Sequence, residues 1–119
     1  MGELSQIRNA LDEVKGIEHV LDVSLVSRGG MYILGDPAKG VHQETFAAMA
    51  AIMLGAGETS SAEMKDILRH IIVRQSERNL ILVSAGARYL LAVVTDASAN
   101  DEQVAESAKQ IISKVDINI

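Results

Sequence analysis

The sequence predicts an α+β fold, a five-stranded antiparallel sheet with three helices in the order α-β-β-α-β-β-β-α. Three observations carry that prediction. Apolar residues near both ends and in the middle of the chain recur at helical spacing, the runs between them alternate or are continuously apolar, and successive runs are joined by links too short for parallel crossovers.

Leu4, Ile7, Leu11 and Val14 recur at steps of three and four, so residues 3–15 read as an amphipathic helix closed by Gly16. Over 17–26, Leu21, Val23 and Leu25 alternate with Asp22 and Ser24, the period of a strand. Ser27, Arg28, Gly29 and Gly30 then turn the chain, and 31–34 returns as the second strand of a hairpin. Residues 35–40, with the single Pro37, form a loop by composition. The Ala- and Met-rich run from 41 or 42 to Gly55 is a strong helix former. A glycine costs about 1 kcal/mol inside a helix, so Gly55 and Gly57 mark a kink or an end. Ser60, with Glu63 at capping-box spacing, would start a fresh helical turn to about residue 66.

Three strands follow at 68–75, 80–85 and 89–94, joined by 76–79 and 86–88 as an antiparallel meander. Asn100 or Asp101 caps a last helix whose apolar positions are Val104, Ala108, Ile111, Ile112 and Val115. Residues 80–83 and 90–94 are apolar at every position, which a strand tolerates only when both sheet faces are buried, so helices must lie on both sides. Arg69, Arg74 and Gln75 mark the third strand as a partly open edge.

At 119 residues and 48% hydrophobic content the chain suits one domain spanning 1–119, with no linker or repeat visible. There is no cysteine, no secretory-type N-terminus beginning at Met1, and no apolar run long enough for a bilayer, so the expectation is a cytoplasmic protein without membrane insertion. The net charge of −5, scattered basic residues and only three aromatics (Tyr32, Phe46, Tyr89) argue against nucleic acid as a partner.

Little in the sequence points to catalysis. His19, His42 and His70 lack metal-ligand spacing and read as lying on a strand, at a helix start and on another strand, with His42 in a capping or first-turn role. Residues 55–57 and 35–40 match neither a Walker loop nor a dinucleotide loop. The acid pairs Asp12–Glu13 and Asp101–Glu102 read as helix-surface charge. No Gly-x-Ser-x-Gly turn occurs, although sequence alone leaves Ser/His/Asp chemistry open. No catalytic, cofactor-binding or metal-binding residue is assigned, and no cofactor is expected.

The second helix most needs explaining, because it is apolar nearly all round from Phe46 to Ala56 and requires cover on more than one side. At 100° per residue, Phe46, Met49, Ala50 and Met53 share one side, and Ala48, Ala51 and Gly55 fall opposite, beside Ile52. One side is expected to meet the sheet and the other a second copy of the chain, with the assignment of sides open. The alternative is that the first or last helix covers the second side within one subunit.

The element order, with residues 25–34 (Leu-Val-Ser-Arg-Gly-Gly-Met-Tyr-Ile-Leu) followed by the apolar helix to Gly57 and Glu58, resembles the Roadblock family of dynein light-chain-like domains, in its stand-alone prokaryotic form. The charged third strand and the hairpin formed by 80–83 and 90–94 agree with that layout. The resemblance implies a sheet held between helix two on one face and the terminal helices on the other, and a homodimer joined through helix two and the third strand. It further implies a non-catalytic module that binds and regulates a Ras-like small GTPase. The alternative is a structural dimerisation or scaffold subunit with no effect on nucleotide hydrolysis. The family offers no invariant catalytic residue, and none of Arg28, Arg74, Arg78 or Arg88 is assigned as an arginine finger. The expected dimer interface comprises Ala48, Ala51, Ile52 and Gly55 on helix two, with Ile71 and Val73 on the third strand.

Overall fold

The computed structural model describes residues 2–36 and 38–118, so the readings at Met1 and Pro37 lie outside the described residues. The elements are α1 (Gly2–Lys15), β1 (Val20–Ser27), β2 (Tyr32–Gly35), α2 (Gln43–Glu63), β3 (Ile71–Val73), β4 (Arg78–Ser84), β5 (Tyr89–Asp96) and α3 (Asp101–Ser113). The strands form one sheet in the order β2-β1-β5-β4-β3, with every neighbouring pair antiparallel. The predicted α+β fold is therefore present.

Register explains the continuous apolar runs. Leu80 pairs with Val94 and Leu82 with Ala92, and these side chains join Val26 and Leu90 beneath Ala47, Ala50 and Leu54 of α2. Their neighbours Ile81, Val83, Leu91 and Val93 point the other way, into a cluster with Ile7, Leu11 and Val14 of α1 and Val104, Ala108 and Ile112 of α3. Helix two thus covers one face of the sheet and the terminal helices cover the other.

Several boundaries differ from the sequence reading. Helix α2 runs continuously through Gly55 and Gly57 to Glu63, so it does not end at the glycines and no fresh cap forms at Ser60. Packing overrides propensity here. A Cβ at Gly57 would stand 2.8 Å from Ile71 Cδ1 and 3.1 Å from Leu68 Cδ2, so glycine lets α2 pass β3 without displacing those side-chain tips. The helix ends instead where Met64 N–H turns back to Ser60 and Ser61 and Lys65 enters the left-handed region at φ 58°.

The third strand is three residues long rather than eight. Beyond Val73 the backbone leaves the ladder, and Gln75 N–H donates to the Asn79 side chain at 3.1 Å instead. Arg78 and Asn79 belong to β4, not to the preceding turn. His19 lies not on a strand but in the α1–β1 connection, at φ 75°, and His70 directly precedes β3. The caps agree with expectation: His42 Nδ1 accepts from Thr45 N–H at 3.3 Å, and Asn100 Oδ1 accepts from Gln103 N–H at 3.2 Å.

Candidate functional site

The sheet side of α2 is Ala47, Ala50 and Leu54, each at most 1% exposed. That stripe lies about a quarter-turn from the centre of the bulky side of the projection, so neither projected side is the sheet side. Phe46, Ala51 and Met53 flank it half-buried, while Met49 is 48% and Ile52 60% exposed on the outer surface. Since α1 and α3 lie on the opposite face of the sheet, neither covers this surface, and the alternative of cover within one subunit fails. No charged side chain occurs between Thr45 and Gly57, so the exposed strip is apolar.

The six expected interface residues divide into three groups. Ile52 is freely exposed. Ala48 and Gly55 are half-buried, and a Cβ at Gly55 would meet nothing within 4 Å, whereas Ala48 abuts Gly30 of the β1–β2 turn. Ala51, Ile71 and Val73 are half-buried and pack against the core beneath α2. Ile71 and Val73 lie on β3, whose outer side pairs with no described strand. Sequence reasoning did not single out Met64 and Ile67, 71% and 86% exposed in the α2–β3 connection beside that edge. Their signal was three large apolar residues in a seven-residue link, of which Leu68 alone packs against the core beneath α2.

Polar side chains on the other face of β3 hold it to α3. The His70 ring, 7% exposed, places Nε2 at 3.0 Å from Glu102, and Arg74 Nη1 lies 3.5 Å from Asp101. Asp101 corrects the surface reading of its acid pair. It is 1% exposed, accepting from Asn79 Nδ2 at 2.7 Å and Thr95 Oγ1 at 3.0 Å, while its neighbour Glu102 is exposed as expected. A buried carboxylate with two side-chain donors knits β4, β5 and the start of α3 together.

His19, Asp96 and Ser98 form a cluster of nucleophile, base and acid types, and its geometry is unsuited to nucleophilic catalysis. Asp96 Oδ2 and Ser98 Oγ both approach His19 Nδ1, at 2.9 and 3.2 Å, whereas a triad needs the hydroxyl and the carboxylate on opposite ring nitrogens. The open question of Ser/His/Asp chemistry is answered against it at this cluster. Among the described residues, no group of three or more His, Cys, Asp or Glu could hold a metal ion.

Three of the four arginines weighed as fingers are engaged internally. Arg28 forms an ion pair with Glu58 of α2, donates to Tyr89 O at 3.1 Å, and through Nη2 reaches Ser84 Oγ at 2.8 Å and Gly86 O at 3.1 Å. Arg78 donates to Lys39 O at 3.2 Å, and Arg74 lies beside Asp101. Arg88 is exposed, its guanidinium 6.0 Å from the centroid of the Tyr89 ring.

A sheet between one helix and two, with a bare edge strand beside an apolar helix surface, defines an α+β domain of the Roadblock type. The Roadblock/LC7 domain family model matches residues 6–95, and the chain belongs to that family. Among solved structures, the chain is similar to Myxococcus xanthus MglB, with a TM-score of 0.82 at 16% identity, covering 96% of this chain and 90% of that one. A Roadblock/LC7 domain from Streptomyces avermitilis gives a TM-score of 0.76 at 16% identity, over 88% and 90% of the two chains. The gliding protein MglB of Thermus thermophilus gives 0.73 at 16% identity, over 97% and 94%. These likenesses are of fold. No curated protein sequence matches the chain. No helix among the described residues is long and apolar enough to cross a membrane.

Proposed function

We propose that residues 1–119 act as a single Roadblock domain that forms a homodimer through α2 and the β3 edge, and that the dimer binds and regulates a Ras-like small GTPase in the cytoplasm. The observation that carries the dimer is the uncovered surface of α2, with Met49 and Ile52 exposed, together with the edge strand β3, whose outer side pairs with no described strand, and the exposed Met64 and Ile67 in the connection between the two. A second copy placed against it would remove apolar side chains from water and extend the sheet across β3. The GTPase partner rests on the family resemblance. The domain is read as non-catalytic, with an effect on hydrolysis arising from orienting the GTPase's own residues. Arg28, Arg74 and Arg78 having partners within the chain supports that reading, and the exposed Arg88 is assigned no catalytic role in it.

Light scattering at several concentrations tests the first half: a mass near twice 12.7 kDa supports the dimer, and a mass of 12.7 kDa at every concentration removes it. GTP turnover by small GTPases encoded alongside the protein tests the second half. Turnover that changes with added dimer supports regulation. Binding that is indifferent to GDP or GTP, with unchanged turnover, assigns the dimer to the scaffold role instead.

A further inference from the structure

His19 occupies a backbone conformation that ordinary side chains avoid. Its φ of 75° is left-handed, a region that glycine enters freely and that Asn, Asp and His enter occasionally. Such a residue persists only where its surroundings hold it. Here the hold is specific. The His19 carbonyl accepts from Asp96 N–H at 3.0 Å, its Nδ1 lies 2.9 Å from Asp96 Oδ2, and its Nε2 lies 3.2 Å from Glu18 Oε1. Asp96 is itself fixed by Ser98, whose backbone N–H and hydroxyl donate to Oδ1 at 2.9 and 2.7 Å. One residue therefore ties the connection after α1 to the connection before α3.

The two ring nitrogens face two different carboxylates. A neutral imidazole carries a single N–H, so it donates to Asp96 or to Glu18 and turns a bare lone pair toward the other. The imidazolium donates to both. Glu18 belongs to the same connection as His19, and Asp96 ends β5. Across the adjoining cavity of about 380 Å³ the wall opposite is uncharged, formed by the N-cap residue Asn100 and by Gln103, Val104 and Ser107 of α3.

We propose that His19 is a proton-operated latch between the α1–β1 and β5–α3 connections, closed in the imidazolium form and released in the neutral form. In the neutral ring the bond to Asp96 is either given up in favour of Glu18 or kept without its charge assistance. With the hold weakened, the left-handed backbone at His19 relaxes and the end of α1 separates from the loop that leads into α3. The latch lies on the face of the sheet opposite α2, so it acts whether or not the chain dimerises. The raised proton affinity of the ring is consistent with this. The hydrogen bond from Asp96 raises it most, partial desolvation opposes, and the Asp96 and Glu18 charges add to the rise.

Amide hydrogen exchange by NMR on the full chain, corrected for the intrinsic pH dependence of exchange, tests the latch at about pH 5.5 and about pH 8. The informative amides are Asp96, which donates to His19 O, and Val20, which donates to Ile17 O. Their protection is expected to fall about fivefold or more at the higher pH in the wild type. It should stay level in His19→Asn, which tolerates the left-handed backbone and does not titrate. Level protection in the wild type overturns the proposal, as does an equal fall in His19→Asn. Should that variant fail to fold, the wild-type comparison still decides, with Leu91 and Val93 in the sheet centre as amides expected not to respond.

Discussion

Gly57 of α2 and Ile71 of β3 approach so closely that a β-carbon on the glycine would lie 2.8 Å from Ile71 Cδ1. The helix and the edge strand are therefore set against each other at a position where a methyl fits only if the Ile71 and Leu68 side-chain tips give way. Two opposed effects meet in Gly57→Ala. Alanine favours the helix by about 1 kcal/mol, and the added methyl pushes the tips of Ile71 and Leu68 outward at an overpacking cost of about 1–3 kcal/mol. The expected outcome is a small net loss of stability in urea titration, with β3 displaced. If β3 is the seam between copies, self-association measured by sedimentation should weaken by roughly tenfold.

The outer surface of α2 gives a cleaner separation of folding from association. Ile52 is 60% exposed, so Ile52→Arg adds a charge where the isolated chain already meets water. The fold should survive, with a change within about 0.5 kcal/mol, while dimer mass is lost in light scattering. Ala51→Arg is the harsher substitution, because Ala51 packs against the core under α2. It should lower the unfolding midpoint as well as the mass. An Ile52→Arg protein with unchanged dimer mass would place the interface elsewhere.

The contrast between these two residues shows what the sequence could and could not reveal. Strand identity was legible from the continuous apolar runs in β4 and β5, which follow directly from burial on both sheet faces, and from the alternation in β1, which marks a strand although it does not follow burial there, since Leu21 is exposed and Ser24 buried. The phase of α2 was not, because a helix apolar on nearly every side carries no internal marker of its sheet side. The glycines read as a kink or an end, and the helix continues through them because the reason for Gly57, the approach of Ile71 and Leu68, is a tertiary contact that local propensity does not reveal. Asp101 was taken for surface charge, yet a signal was present. Asn79 and Thr95 are polar residues bordering apolar strands, and they are directly paired across β4 and β5.

That buried cluster gives the largest expected stability effect. In Asp101→Ala the Asn79 amide and the Thr95 hydroxyl lose their acceptor inside the protein, at a cost of about 2–4 kcal/mol. Asp101→Asn preserves one acceptor oxygen and should lose less. Chemical denaturation of the two variants, compared with the wild type, measures the difference. Equal and small losses for both would mean that the cluster contributes shape rather than hydrogen bonding.

Arg28 joins four elements at one end of the sheet, and its planar fork is matched to acceptors in several directions. Arg28→Lys keeps the charge but cannot reach Glu58, Ser84 and the carbonyls of Gly86 and Tyr89 together. Since the pair is partly exposed, the expected cost is about 1–3 kcal/mol for Arg28→Met, with Lys restoring only a minor part. A lysine variant as stable as the wild type in denaturant titration would reduce the cluster to a simple ion pair.

The His19–Asp96 pair makes global stability depend on pH in two opposite directions. His19 binds its proton more tightly in the folded chain than the ordinary value of 6.5, chiefly through the Asp96 hydrogen bond. Its contribution is complete below that pH and is lost as pH rises through the raised folded value. Asp96 binds its proton less tightly than the ordinary 3.8, because His19 and Ser98 donate to its carboxylate. Its contribution is complete above that pH and is lost as pH falls through the lowered folded value. The two contributions are both complete only between those ordinary values, in mildly acid solution. The stability difference between the wild type and Asp96→Asn should accordingly be greatest there and shrink toward both alkaline and strongly acid pH in thermal unfolding. A difference that grows from about pH 6 to about pH 8 would show that the neutral imidazole, not the imidazolium, is the form the fold prefers.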